Sequence, residues 1–294
     1  MKNLITRTVT GVLFVAVIVT CFLRPIAMAL LFALVTGMTV WEFTGLVNAR
    51  RGVQVNRLIS TVSGVYLFLA VTGFCSGMTP SSVFVPYLLS VVYLMVAELY
   101  LRQPDPINDW AYTMLSQMYI ALPFSCISVL AFTAQTDAAA LQAGSSVVFS
   151  PLLPLSVFVF LWMSDSGAYC VGSLLGRHKL FPRISPGKSW EGSIGGGIFV
   201  LIVAALLWRY GADAAAAMGF VAPVLTLPQW LGLGLVVVVF GTWGDLVESL
   251  LKRTLGIKDS GNVLPGHGGM LDRFDSSLMA MPAAVVYLYT LTLF

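Results

Sequence analysis

Two stretches in the C-terminal half gather the residues best able to do chemistry. The first reads Gly241-Thr242-Trp243-Gly244-Asp245-Leu246-Val247-Glu248-Ser249-Leu250-Leu251-Lys252-Arg253. Asp245, Glu248, Ser249 and Lys252 follow i, i+3, i+4, i+7 spacing, so a helix puts them on one face, acidic at one end and basic at the other. Taken alone, an Asp–Lys pair closing a helix end explains that face equally well. The second stretch shifts the balance. It reads Lys258-Asp259-Ser260-Gly261-Asn262-Val263-Leu264-Pro265-Gly266-His267-Gly268-Gly269-Met270-Leu271-Asp272-Arg273-Phe274-Asp275. Gly266, Gly268 and Gly269 surround His267. Glycine reaches positive φ and lets backbone amides come close to an anion, and such loops form concave phosphate nests. Asp272 and Asp275 stand one helical turn apart. Their hard oxygens suit Mg²⁺, which takes one or two carboxylates together with substrate phosphates. Asp245 and Asp272 could clamp metal from two helices, while Lys252, Arg253, Lys258 and Arg273 offset phosphate charge. One basic residue here would be an ordinary flank of a membrane helix. Four of them, among carboxylates and a Gly-His-Gly-Gly turn, point to a phosphate site. His267 is read as a donor to phosphate rather than as an acid or base, because phosphoryl chemistry relies mainly on positioning and charge neutralisation.

A third stretch belongs with these. In Ser164-Asp165-Ser166-Gly167-Ala168-Tyr169-Cys170-Val171-Gly172, continuing to Gly176, the residues Asp165, Ala168, Tyr169, Gly172 and Gly176 share one mostly small face. Gly172 and Gly176 fit close helix packing, but Asp165 has no basic neighbour in sequence to explain it. Ser185-Pro186-Gly187-Lys188-Ser189-Trp190-Glu191-Gly192 follows. Its Gly-Lys-Ser fragment is not a P-loop: the first glycine of that motif would fall on Pro182, and no strand is expected before it. Lys188 remains a candidate contact for phosphate or cytidine, and Glu191 either orients it or begins the next helix. His178 is assigned only to the loop.

The elements that must position these residues are membrane helices. The chain has 294 residues, of which 58% are hydrophobic and 10% charged, against about 25% charged in a soluble domain. Its mean hydropathy is +0.89. A bilayer core of about 30 Å needs about 20 apolar residues per helix. Nine such segments are expected at residues 8–23, 25–47, 58–75, 83–101, 111–133, 152–176, 194–210, 228–251 and 276–294. A β-barrel would need polar–apolar alternation, which is missing. Nine spans put fourteen of the sixteen Lys and Arg on one side, leaving only Arg24 and Arg209 on the other. By the positive-inside rule that side is the cytoplasm, with the N-terminus in and the C-terminus out.

The expected fold class is therefore all-α and polytopic. Residues 1–150 carry spans 1–5, and residues 151–294 carry spans 6–9 with the catalytic loops 177–193 and 252–275, in one integrated membrane domain. Lys2 and Arg7 before the first apolar run resemble a signal peptide, but Arg24-Pro25 and a further apolar stretch favour an uncleaved span. Cys21, Cys75, Cys126 and Cys170 are scattered singly through apolar runs, which disfavours both zinc and disulfides. Charge inside a membrane costs about 2.5–3.5 kcal/mol per residue on insertion scales, so it usually faces a cavity or a partner. Glu42 and Glu98 meet that description and receive no role.

The pattern of Ser249 through Lys252-Arg253, Lys258-Asp259 and Pro265-Gly266-His267-Gly268-Gly269-Met270-Leu271-Asp272-Arg273-Phe274-Asp275 resembles the signature of the phosphatidate cytidylyltransferases, the CDP-diacylglycerol synthases. No position departs from it. Ser164-Asp165 to Tyr169 and Ser185-Pro186 to Gly192 are similar to the same family, whereas the N-terminal half agrees in character only. The resemblance implies a nine-helix fold around a funnel open to cytosol and lipid. It implies that CTP and phosphatidate are converted to CDP-diacylglycerol and pyrophosphate, and that Asp245 and Asp272 bind the metals, Mg²⁺ with K⁺ as a companion. Expected catalytic residues are Asp245, Asp272, Lys252, Arg253, Lys258, His267, Arg273 and Asp165. Expected substrate contacts are Lys188, Ser185, Glu191, Ser249, Asp259, Gly266, Gly268, Gly269 and Asp275. Partners would be the two substrates and membrane lipid, without nucleic acid, and a homodimer is left open. The location implied is the inner, cytoplasmic membrane. Rival readings are a polyprenol kinase, an ether-lipid cytidylyltransferase and, from another class, a cation-coupled transporter.

Overall fold

The structure, a computed structural model, describes residues 2–101, 103–134, 147–261, 263 and 268–291. In lipid every backbone N–H and C=O needs an internal partner, so the long apolar runs fold as helices. Nine follow one another among the described residues: α1 (Lys2–Phe22), α2 (Pro25–Asn48), α3 (Arg57–Cys75), α4 (Ser81–Leu101), α5 (Pro106–Ala131), α6 (Leu152–Leu175), α7 (Trp190–Ala217), α8 (Leu227–Thr254) and α9 (Leu271–Thr290). Seven of them, α2 to α8, are long and apolar enough to cross a membrane, and the chain is a multi-pass membrane protein. In α1 the described side chains cover the apolar stretch Val9–Phe22. Helix α9 falls short of that measure for a physical reason. Helix α9 opens with Asp272, Arg273 and Asp275 and has Pro282 inside it.

Helix starts follow local chemistry. Asn56 caps α3 by accepting from Ile59 N at 3.1 Å, and Asp105 caps α5 by accepting from Asn108 N at 3.2 Å, with Pro106 at the first helical position. Ser189 caps α7 through Gly192 N at 3.2 Å. Two short antiparallel hairpins complete the described structure: β1 (Phe132–Ala134) pairs with β2 (Val147–Phe149), and β3 (Lys179–Phe181) pairs with β4 (Ser185–Ser189). The second hairpin lies within the segment read from sequence as a loop. Strand β4, Ser-Pro-Gly-Lys-Ser, has neither alternation nor β-branched residues to announce it.

The chain divides into two compact units, Met1–Val129 with Thr254–Phe274, and Leu130–Arg253 with Asp275–Phe294. The first is centred on buried aromatics. Phe274 lies with its ring centroid 5.4 Å from Phe14 and Phe124 and 6.1 Å from Phe32. Polar links inside this unit run between helices, such as Thr72 Oγ1 to Ser128 Oγ at 2.7 Å and Gln117 Nε2 to Ser60 O at 2.9 Å. The second unit is built on glycine contacts. A Cβ at Gly192 would lie 3.2 Å from Gly172 Cα, and one at Gly196 would lie 2.5 Å from Ser164 O, so α6 and α7 meet backbone to backbone. A Cβ at Gly244 would lie 2.6 Å from Asp275 O and 3.0 Å from Ser276 Cα. That glycine sets the distance between α8 and the start of α9 in this unit.

Candidate active site

The close approach at Gly244 brings carboxylates together. Asp245, Glu248 and Asp275 each place an oxygen within 4.8 Å of the others. Glu248 is fully buried, and Lys252 Nζ stands 2.7 Å from its Oε2. Lys188 Nζ, at the end of β4, lies 2.6 Å from Asp245 Oδ2. Ser249 donates to Asp245 Oδ1 at 3.1 Å. Asp275 also feels the charges of Asp245 and Asp165, which Lys188 offsets. Lys188 and Lys252 place positive charge among these carboxylates, which offsets their mutual repulsion. The donor set, three hard oxygen ligands on two helices, fits a divalent cation.

Beside this cluster lies a cavity of about 450 Å³, lined by Ser164 and Asp165 of α6, Lys188 and Ser189 of β4, Ser193 of α7 and Thr242 of α8. That volume lies within the about 300–1,000 Å³ typical of small-molecule sites. The hairpin carrying Lys188 is held by Glu191, in the first turn of α7. Its carboxylate accepts from Arg177 N and His178 N, both at 3.2 Å, and pairs with His178 Nδ1 at 2.5 Å. Glu191 therefore both begins the helix and ties down the hairpin, while Lys188 turns to Asp245. Ser185 sits within the hairpin opposite Phe181.

In the first unit, Ser260, Gly269, Met270 and Leu271 are gathered by two other carboxylates. Asp272 Oδ2 accepts from Ser260 N at 2.8 Å, Ser260 Oγ at 2.9 Å and Gly269 N at 2.8 Å. Glu42, on α2, accepts from Ser260 Oγ, from Met270 N at 2.9 Å and from Leu271 N at 3.1 Å. The glycines make this possible. Gly268 has φ +80°, and a Cβ there would collide with Asp272 Oδ2. A Cβ at Gly269 would collide with Glu42 Oε1 and Ser260 Oγ.

Among the remaining sequence candidates, Arg253, Lys258, Asp259, Arg273 and Asp165 are exposed. Gly266 and His267 lie outside the described residues. Three participants had no role in the sequence reading. Glu248 shares the face of Asp245, and its i+3 spacing was the available signal. Glu42 was visible as an acid inside an apolar helix, but its partners lie more than two hundred residues away in the chain. Ser260 carried no signal.

The Glu42 contacts make a prediction. Glu42→Ala leaves Met270 N and Leu271 N without their acceptor, at about 1–3 kcal/mol for each buried group, while Ser260 Oγ keeps Asp272 Oδ2. The melting temperature of the detergent-solubilised variant is expected to fall clearly, and that of Glu42→Gln by less, because its amide oxygen still accepts. Equal melting temperatures for Glu42→Ala and the parent would remove the tethering role.

Comparison with known proteins adds a family and several relatives. A model described as the Cytidylyltransferase family matches residues 5–291. The chain is 32% identical over 279 residues to a phosphatidate cytidylyltransferase of Haemophilus influenzae, covering 92% of this chain and 93% of the relative. It is 34% identical over 216 residues to one of Staphylococcus aureus, covering 67% and 77%. Over 128 residues it is 46% identical to one of Staphylococcus saprophyticus, covering 44% and 45%.

Proposed function

The chain belongs to the cytidylyltransferase family, and from that premise we propose that it transfers CMP from CTP to phosphatidate, giving CDP-diacylglycerol and pyrophosphate, the activity for which its relatives are named. The observation that carries the site assignment is Lys188. It lines the cavity of the second unit and also pairs with Asp245 in the three-carboxylate cluster.

The cavity takes the nucleotide. A phosphatidate oxygen forms a bond to the α-phosphorus of CTP, the bond from that phosphorus to the bridging oxygen breaks, and pyrophosphate leaves with the electron pair. The attacking oxygen is already anionic, so no strong base is needed. The barrier is repulsion between anions and charge building on pyrophosphate. Lys188 exchanges Asp245 for a phosphate oxygen as the nucleotide enters, which places a fixed positive charge against that repulsion. Lys252 pairs with Glu248 beside it, and Ser249 orients Asp245. Asp245, Glu248 and Asp275 would hold one cation and Asp272 a second, Mg²⁺ with K⁺ as a companion, and the bound cations would supply further neutralisation of phosphate charge. The protein is assigned to the cytoplasmic membrane with the N-terminus inside. A C-terminal reporter active only in the cytoplasm should stay silent, and a signal from it would reverse that orientation.

Lys188→Ala is expected to raise the KM for CTP by about tenfold or more, the loss of a charged contact worth about 1.4 kcal/mol or more, and Lys188→Arg to recover part of it. An unchanged KM would remove Lys188 from the nucleotide site. Position-labelled CTP tests the reaction itself. Label at the α-phosphate should enter lipid and label at the γ-phosphate should leave as pyrophosphate. Entry of γ-label into lipid would identify a kinase instead.

A further inference from the structure

Helix α6 gives two rows of residues to the cavity of the second unit. Ser164, Ala168 and Gly172 form one, and Asp165, Tyr169 and Ser173 form the other, each at four-residue spacing. The first row is covered by α7. A Cβ at Gly192 would lie 2.9 Å from Ala168 O and 3.2 Å from Gly172 Cα, and one at Gly196 would lie 2.5 Å from Ser164 O. The second row is exposed at all three positions. Eight residues at 1.5 Å each make it about 12 Å long.

The ends of this row differ in character. Asp165 marks the charged end, since Asp275 of the carboxylate cluster feels the charges of both Asp165 and Lys188. One turn on stands Tyr169, 78% exposed. Among the described residues that line the cavity, it alone is aromatic. A further turn on, Ser173 Oγ donates to Cys170 O at 3.1 Å. A hydroxyl has one hydrogen, so with that hydrogen committed Ser173 offers the cavity only lone pairs. Cytosine carries an amine where uracil, like thymine, carries a carbonyl oxygen.

We propose that this row is the base subsite of the nucleotide. The ring of Tyr169 stacks on the cytosine, Ser173 Oγ accepts from its exocyclic amine, and the phosphates run toward Lys188 and the carboxylate cluster. The proposal rests on the reaction inferred above and adds how the pyrimidine is chosen. Stacking holds any base, because every base has a π face. The choice between cytosine and uracil falls to Ser173, whose lone pairs attract the amine and repel a carbonyl oxygen.

The test uses the purified full-length protein in mixed micelles containing phosphatidate. Tyr169→Leu is expected to raise the KM for CTP by about tenfold, the scale of one base–aromatic stack. Tyr169→Phe should keep the parent value, and neither variant should change the KM for phosphatidate. Ser173→Ala is expected to lower the preference for CTP over UTP, measured as a ratio of kcat/KM values, by about fivefold. Inorganic triphosphate has the phosphates and no base, so its inhibition constant against CTP should be the same in Tyr169→Leu as in the parent. An unchanged KM for CTP in Tyr169→Leu, an equal weakening of inorganic triphosphate, or an unchanged preference in Ser173→Ala would overturn the subsite. CTP carrying a photoreactive azide on the base decides the matter on the parent protein if a variant fails to fold. Adducts on α6 that unlabelled CTP competes away support the subsite, and adducts confined to other segments overturn it. If those adducts form on α6 but no CMP reaches lipid, the reaction is wrong and the subsite stands. If CMP transfer is normal and both variants match the parent, the subsite is wrong and the reaction stands.

Discussion

Asp245→Asn is expected to lower kcat by about a hundredfold to a thousandfold, the range seen when one fixed electrostatic group is removed from an active site, while leaving the protein folded in membranes. The reasoning starts from the contacts of Asp245. Its Oδ2 faces Lys188 Nζ at 2.6 Å and its Oδ1 accepts from Ser249 at 3.1 Å. An asparagine can still accept from Ser249, so the helix keeps its local bond. It presents no charge to Lys188 and is a poor ligand within the set of Asp245, Glu248 and Asp275. The defect should therefore appear in turnover, with elution volume in detergent and melting temperature close to the parent. Activity within threefold of the parent would exclude Asp245 from the reaction. Loss of the folded protein instead of turnover would make the carboxylate structural.

The second large effect concerns Asp272, where two roles make different forecasts. As a tether, its Oδ2 gathers Ser260 N, Ser260 Oγ and Gly269 N. As a metal ligand, the role that the family resemblance implies, its charge is what matters. Asp272→Asn separates them, since the amide oxygen can still accept backbone donors. On the ligand role, turnover is expected to fall by about a hundredfold or more, and raising Mg²⁺ should recover part of the loss. On the tether role alone, Asn should keep most activity, and only Asp272→Ala, which leaves Ser260 N and Gly269 N without an acceptor, should lower stability and activity together. We expect the first pattern. Full activity of the Asn variant at ordinary Mg²⁺ would assign Asp272 to the loop only.

These residues also show which parts of the molecule could be read from its sequence. The helices were legible because apolar run length and basic flanks are set by the bilayer, whatever the tertiary packing. The faint ends were those where charge intrudes, as in α9 with Asp272, Arg273 and Asp275. That Asp245, Glu248, Ser249 and Lys252 lie on one helix was legible from their spacing, but Lys252 pairs with Glu248 and not with Asp245. The partnership of Lys188 with Asp245 was not legible, since it joins a hairpin to a helix more than fifty residues later. The role of Gly244 was likewise hidden, because only the structure shows that a side chain there would meet Asp275 O at 2.6 Å. Glu42 marks the limit most clearly. Its cost inside an apolar helix was apparent, but the amides of Met270 and Leu271 that offset it are distant in sequence.

The claim on which the account turns is that Asp245, Glu248 and Asp275 hold a divalent cation. Mn²⁺ takes the same hard oxygen ligands as Mg²⁺ and is visible by electron paramagnetic resonance. Titrating the purified protein with Mn²⁺, and comparing it with Asp245→Asn and Asp275→Asn, measures the site without depending on turnover. The account predicts saturable binding in the parent that Mg²⁺ displaces and that each variant weakens by about tenfold or more. Identical Mn²⁺ binding by the parent and both variants would contradict it.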